Sequence, residues 1–367
     1  MKRRLDVGNL ALSVAAPVAS LAVAVGLSAL LLLISGFNPG DVLSTLWSRA
    51  GLASTWLDAA QRAIPLYLSA IAVAVGFKMG LFNIGVEGQY RVAMLATAVV
   101  GAAVRLPAVL HVGFCLMVAM IFGAAWATVP AVLKVTRGVN EVISTIMMNF
   151  IAIGLTAFLF AEVFKNTPDG DLNAKTRPMP PSSYMPNLIE QDLRALSGFL
   201  IVAIVLGIGF YLMVWRSRFG FQLRASGANP AAARIAGINP KAMIMKAMLL
   251  SGALAGLVGM PQILGERHAY GNDLQLNLGF DGIAVALLGR NNPAGMAVGA
   301  LIFGFLNAAG RFLDLADIPK EIVIILQGVI VLTVVIIYEL VGRVRARRTQ
   351  EIAARDLEVP AVELVAA

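Results

Sequence analysis

Apolar runs of about 20 residues recur along the whole chain, separated by short polar or basic stretches. A helix of that length crosses roughly 30 Å of hydrocarbon. Crossings are expected near 10–35, 60–78, 86–104, 108–133, 139–163, 197–215, 242–264, 278–290, 293–310 and 319–342. The eighth is too short for an ordinary span and reads as tilted, broken or re-entrant. The pattern predicts an all-α integral membrane protein of about ten transmembrane segments, with two related halves and broken or re-entrant helices. Residues 1–9 then form a cytoplasmic N-terminus, 10–342 the membrane domain and 343–367 a cytoplasmic tail.

Polar groups interrupt this pattern at a few places. Phe82-Asn83-Ile84-Gly85-Val86-Glu87-Gly88-Gln89 sets a carboxylate, two amides and two glycines between apolar runs. A charge at membrane depth marks a functional site by default. The flanking glycines suggest a broken helix, which survives only inside protein or along a cavity. Leu278-Gly279-Phe280-Asp281-Gly282 repeats the arrangement in the second half. Matched interruptions in two halves point to a transporter's binding site. The alternative for Glu87 is an ion pair with Arg91, four residues on. Glu141, Thr145 and Asn149 recur every fourth residue and share one helix face. That stripe either contacts a polar solute or fixes packing, with Glu141 paired to Lys134, Arg137 or Lys78. Gly252, Gly256 and Gly259 read as a close helix contact, with a sliding gate as the alternative.

Composition narrows the class. Of 367 residues, 59% are hydrophobic and 14% charged, against about 25% charged in soluble domains. The net charge of +8 does not indicate nucleic acid, because the basic residues cluster between apolar runs and at both termini. They follow a positive-inside bias instead. Lys78, Lys134, Arg137, Arg216, Arg218, Arg224, Arg234, Lys241 and Arg290 then face the cytoplasm, as do Lys2, Arg3, Arg4, Arg343, Arg345, Arg347 and Arg348. Opposite them lie Arg49, Asp58, Glu162, Lys165, Asp169, Asp171, Arg267, Asp273, Asp314 and Asp317, a mixture of signs. The first run is longer than a signal-peptide core and reads as a retained helix. Cys115 is alone, and His111 and His268 lack metal-ligand spacing, so no metal or other cofactor is expected.

Two connectors stand out. The one at about 164–196 is rich in proline (Pro168, Pro178, Pro180, Pro181, Pro186) and contains Asp169-Gly170-Asp171. It is either a solvated connector or a docking surface. The one at about 216–241 contains Asn229-Pro230, an N-cap followed by a first-turn proline. Alanines follow, and Gly237 ends the segment. This predicts a two-turn helix lying parallel to the inner face, either a connector or an insert into a partner's groove. Asn239-Pro240 caps the next crossing. There is no GxxxxGK[ST] phosphate loop, no HExxH and no GxSxG. An enzyme is therefore not expected, and transport energy must come from an ion gradient or a separate ATPase.

FNIGVEGQ (82–89) closely resembles the signature of permease subunits of bacterial nucleoside ABC importers, within the branched-chain amino acid and ribose-type permease family. RGVNEVISTIMMNFIA (137–152), NPAAARIAGI (229–238) and GFDGIAVALLGRNNPAG (279–295) are similar to further motifs of that family, in the same order. Ala231 stands where many coupling segments carry an acid. The resemblance implies a location in the bacterial inner membrane, with an ABC ATPase, a second homologous permease and an extracytoplasmic substrate-binding lipoprotein as partners. It implies a nucleoside as substrate. The pathway candidates are Phe82, Asn83, Glu87, Gln89, Asn149, Phe280 and Asp281. ATPase coupling would fall to Asn229, Pro230, Ala232, Ala233, Ala236 and Gly237. A simple-sugar permease is the nearest rival. An ion-coupled secondary transporter accommodates Glu87 and Asp281 but leaves the 229–236 helix without a role.

Overall fold

The computed structural model describes residues 7–166, 173–191, 194–314, 318–319 and 321–358. Helices run in the order α1 (Val7–Ile34), α2 (Pro39–Ala50), α3 (Ala53–Lys78), α4 (Val86–Ala103), α5 (Ala108–Arg137) and α6 (Glu141–Phe158). A π turn, Leu159–Phe164, extends α6. The strands β1 (Asn187–Gln191) and β2 (Arg194–Ser197) follow, then α7 (Phe199–Arg216), α8 (Arg218–Ala228), α9 (Pro230–Ile235) and α10 (Pro240–Gly256). The chain continues through α11 (Met260–Gln262), a π turn at Ile263–Arg267, α12 (Leu278–Leu288), α13 (Pro293–Asp314) and α14 (Glu321–Glu358).

Helix thus occupies each interval expected to cross. Among the described residues, seven helical stretches are long and apolar enough to span a membrane: Ala53–Lys78, Ala108–Arg137, Glu141–Phe164, Phe199–Arg216, Pro240–Arg267, Pro293–Asp314 and Glu321–Val344. Ala22–Ile34 and Leu278–Leu288 are shorter apolar helices. The chain is not wholly α, since β1 and β2 form an antiparallel hairpin with a bulge between Asn187 and Ile189. Asp169, Asp171, Pro168 and Asp317 lie outside the described residues, as do Lys2, Arg3 and Arg4.

Backbone contacts divide the chain into one unit of residues 1–45 and 312–367 and another of residues 46–311. In the first, α1 packs along α14. α14 continues to Glu358 rather than ending near 342, with Glu339 and Arg343 paired at 2.9 Å on its surface.

In the second unit α10 is the central element, packed on α5, α3 and α4, while α12 packs on α3. Glycine sets how closely they approach. A Cβ at Gly256 would strike the Ala119 carbonyl of α5, and one at Gly252 would lie 2.7 Å from the Gly123 carbonyl. This is the close contact that the spacing predicted, for those two glycines. Gly259 lies past the end of α10 and faces Met94 of α4 instead. Gly256→Val should therefore lower the unfolding midpoint of the detergent-solubilised protein, since overpacking costs about 1–3 kcal/mol.

Helix ends follow the local chemistry. Gly138 closes α5 at φ 68°, with Gly138 N–H donating to the Lys134 carbonyl and Val139 N–H to Leu133. Asn140 then caps α6 by accepting from Val142 N–H. The proline-rich connector is not a free linker. Thr176, Met179 and Met185 donate backbone hydrogen bonds to the carbonyls of Tyr270, His268 and Leu264, each at 2.8 Å. The buried His111 adds a side-chain tie, its Nδ1 lying 2.8 Å from Ser182 Oγ. The His268 ring stacks on Tyr184. Burial holds the His268 pKa below the ordinary imidazole value. Its folded-state pKa is lower than its unfolded one, so this contact loses stability as pH falls through the unfolded value, about 6.5.

Candidate functional site

The chain leaves α3 at Lys78 and turns through Gly80 (φ 73°), where no side chain is tolerated without strain. It then doubles back along the helix it has just left. Asn83 Nδ2 donates to Ser251 Oγ at 2.8 Å, and the Ser251 hydroxyl donates to the Ala72 carbonyl at 2.7 Å. Ala72 lies six residues before the end of α3, about 9 Å along the axis. α4 therefore begins inside the bundle. The expected break is a chain reversal followed by a new helix N-terminus.

Every amide in the motif has a partner within the protein. Asn83 and Gln89 form a reciprocal amide pair at 3.2 Å in each direction, and Asn83 Oδ1 also accepts from Gly85 N–H. Asn149 reaches across from α6, donating to the Ile84 carbonyl at 2.9 Å and accepting from Gly88 N–H at 2.8 Å. Gly88 permits this approach, because a Cβ there would lie 3.0 Å from Asn149 Cα. Asn83, Gln89 and Asn149 are all buried.

Glu87 joins two helix N-termini. Its side chain is fully buried. Oε1 accepts from Asn277 N–H at 3.1 Å and Oε2 from Gly279 N–H at 2.9 Å, so the carboxylate caps α12 from the first turn of α4. Tyr90 Oη and Arg91 Nε also donate to it, at 2.9 and 2.7 Å. The Glu87–Arg91 pair anticipated from the spacing is present at 2.7 Å. Backbone meets backbone here, as a Cβ on Gly279 would collide with Glu87 N. Phe82 and Phe280 are about half exposed, at 50% and 46%. Asp281 is half-buried in the first turn of α12; its N–H donates to the Asn277 carbonyl at 3.0 Å, and its carboxylate has no hydrogen-bond partner among the described residues.

Of the partners suggested for Glu141, Lys134 is the one observed, at 2.6 Å. Lys78 instead lies over the Trp215 ring, 4.8 Å from its centre. The polar stripe on α6 is therefore divided between an ion pair at Glu141 and backbone clamping at Asn149.

The 216–241 connector contains two helices. α8 is additional to the short helix expected. α9 has the anticipated caps: Asn229 Oδ1 accepts from Ala231 and Ala232 N–H at 3.0 Å, Pro230 opens the first turn, and Gly237 follows at φ 78°. Asn239 likewise caps α10, accepting from Ala242 N–H. Ala233 and Ile238 are buried in a cluster with Met79, Leu81, Leu223 and Met243. The outer face of α9 is open, and Ile235 is 90% exposed.

The structure thus brings Asn83, Glu87, Gln89, Asn149 and the start of α12 together, and sets α9 apart at one end. Ser251, Tyr90, Asn277 and Gly279 belong to the same network and were not singled out from sequence. Tyr90 and Gly279 lay within or beside the recognised motifs. Asn277 contributes only its backbone N–H to the network, at φ 66°, a left-handed conformation that asparagine tolerates better than most residues; that preference was the one signal in its identity.

Over 324 residues the chain is 36% identical to the guanosine ABC transporter permease protein NupP of Bacillus subtilis (strain 168), covering 87% of this chain and 92% of that protein. It is 32% identical over 318 residues to the nucleoside ABC transporter permease protein NupB of Lactococcus lactis subsp. cremoris, covering 83% and 86%. It is also 31% identical over 328 residues to the glucose ABC transporter permease protein TsgB13 of Haloferax volcanii, covering 86% and 85%. No solved structure matches the chain significantly. Residues 55–335 match the family described as branched-chain amino acid transport system / permease component, and the chain belongs to that family.

Proposed function

We propose that this chain is a membrane-spanning subunit of an ABC importer that carries nucleosides, energised by a separate ATPase that grips α9. The observation that carries the reading is the mounting of α9. One face is buried against Met79 and Leu81, a few residues before Asn83, and the other presents Ile235 to a partner. An ion-coupled carrier has no use for such a helix. In this reading all ten helical intervals cross or re-enter the membrane, and the Glu87 and Asp281 segments belong to two related halves. Both termini lie in the cytoplasm with α9, since Lys78, Lys134, Arg137, Arg224 and Lys241 gather at that end. A second homologous permease and a substrate-binding lipoprotein complete the importer.

The pathway residues divide by what they touch. Asn83, Glu87, Gln89 and Asn149 hold the two helix N-termini in register and frame the path. Phe82, Phe280 and Asp281 have surface or bonding capacity left for solute. A nucleoside is favoured over a simple sugar because NupP and NupB align at 36% and 32% identity, against 31% for TsgB13.

The test is uptake into vesicles holding the complete complex purified from its native membrane. Nucleoside uptake should require ATP on the α9 side and persist with uncouplers present. Nucleosides should suppress it at concentrations where glucose does not. Uptake by this chain alone, driven by an ion gradient, refutes the reading.

A further inference from the structure

At the end of the second unit opposite α9 lies a polar cavity of about 430 Å³, within the size range of small-molecule sites. The start of α3, the hairpin and the π turn after α11 enclose it. Asp58, Gln61, Arg194, Gln262, Glu266 and Gln275 line it. None of these belongs to the Glu87 network.

The lining is oriented but not saturated. Arg194 Nε binds Asp58 Oδ2 at 3.0 Å. Gln61 donates to Glu266 Oε1 at 2.8 Å and accepts from Ser197 N–H at 2.9 Å. Gln262 Oε1 accepts from Gln275 N–H at 2.6 Å. These contacts fix Asp58, Gln61, Arg194, Gln262 and Glu266 and leave one oxygen each on Asp58 and Glu266 and the terminal nitrogens of Arg194 without protein partners among the described residues, while Gln275, held through its backbone alone, has an unpartnered side-chain amide. Pro65 forms part of the wall and has no N–H, so the Gln61 carbonyl lacks its helical donor. The site therefore presents fixed acceptors beside fixed donors, with no aromatic ring among its described lining residues.

We propose that this cavity binds the hydroxylated face of the solute, a vicinal diol, and takes no part in reading the base. A diol offers two adjacent groups that both donate and accept, which suits carboxylate oxygens set beside guanidinium and amide N–H. A base needs an aromatic face to stack on. The inference rests on the nucleoside-importer reading and gives this subunit a sugar-directed selectivity at its entrance.

The test uses the full complex in proteoliposomes with saturating binding protein, comparing ribonucleosides with their 2′,3′-dideoxy analogues. Wild type should carry the ribonucleosides about tenfold faster, as expected for one or two net hydrogen bonds, with the same ratio for purine and pyrimidine bases. Glu266→Gln combined with Gln275→Ala should bring the ratio close to one by slowing only the ribonucleosides. Glu266→Gln keeps an acceptor for Gln61, so the wall stays formed. An unchanged ratio overturns the proposal. A parallel loss for both solute classes also overturns it and marks the cavity as part of the binding protein's docking surface. A wild-type complex that carries no nucleoside refutes the earlier reading instead.

Discussion

Glu87→Ala should sharply reduce accumulation of the folded permease, not merely its transport. The carboxylate is the shared acceptor for Tyr90 Oη, Arg91 and the backbone N–H groups of Asn277 and Gly279. Its removal leaves a guanidinium and two helix-terminal donors without their acceptor inside the bundle. Breaking a buried pair from one side costs about 3–5 kcal/mol, against a total stability of about 5–15 kcal/mol for a typical domain. The expected result is a large fall in monodisperse protein after detergent extraction. Glu87→Ala with Arg91→Met should recover part of that yield, because the orphaned charge is gone while the N–H groups of α12 remain uncapped. A carboxylate acting only as a solute ligand would behave differently, giving normal yield with lost uptake.

This distribution of roles explains which parts of the architecture were legible in the sequence. Apolar length fixed where helices lie, because hydrocarbon admits few other backbones. Caps were equally readable: Asn229-Pro230, Gly237 and Asn239-Pro240 act within a few residues of themselves, so local chemistry decides them. The Glu87–Arg91 pair followed from a spacing of four. What stayed hidden depended on distant backbone. Nothing about Glu87 in isolation indicates that it caps α12, because its partners are N–H groups 190 and 192 residues away that any residue but proline supplies. Ser251 joins Asn83 to α3 across a similar gap. The proline-rich connector left open a solvated connector or a docking surface, because most of the bonds that hold it run from its backbone to the backbone of residues 264–270. α8 was missed because Gly220 and Gly227 dilute its helical pattern. Both glycines are needed for contact: a Cβ on Gly220 would strike the Val214 carbonyl, and one on Gly227 would lie 2.7 Å from the Met79 carbonyl.

That last contact ties α8, the helix directly before α9, to the turn that leads into Asn83, and the proposed grip on α9 motivates the second large effect. Ile235→Asp should leave the permease folded and abolish ATP-driven uptake. Ile235 is 90% exposed, so a charge there disturbs no packing in this chain. On a partner's face it would place a carboxylate in an apolar socket, and losing one interface anchor weakens binding by about 30-fold or more. The ATPase should fail to co-purify, while the thermal unfolding midpoint of the permease stays at the wild-type value. Ala233→Asp provides the contrast. Ala233 is buried with Met79, Leu81 and Leu223, so that variant should destabilise the permease itself. On the proposed reading, a push on α9 would enter the bundle through this cluster and, by way of α8, through the Gly227–Met79 contact just ahead of Asn83. It would therefore arrive at the chain reversal that holds Glu87 against α12. If Ile235→Asp transports normally, the motor acts elsewhere on the subunit, and the mounting of α9 is only a way of closing the gap between α8 and α10.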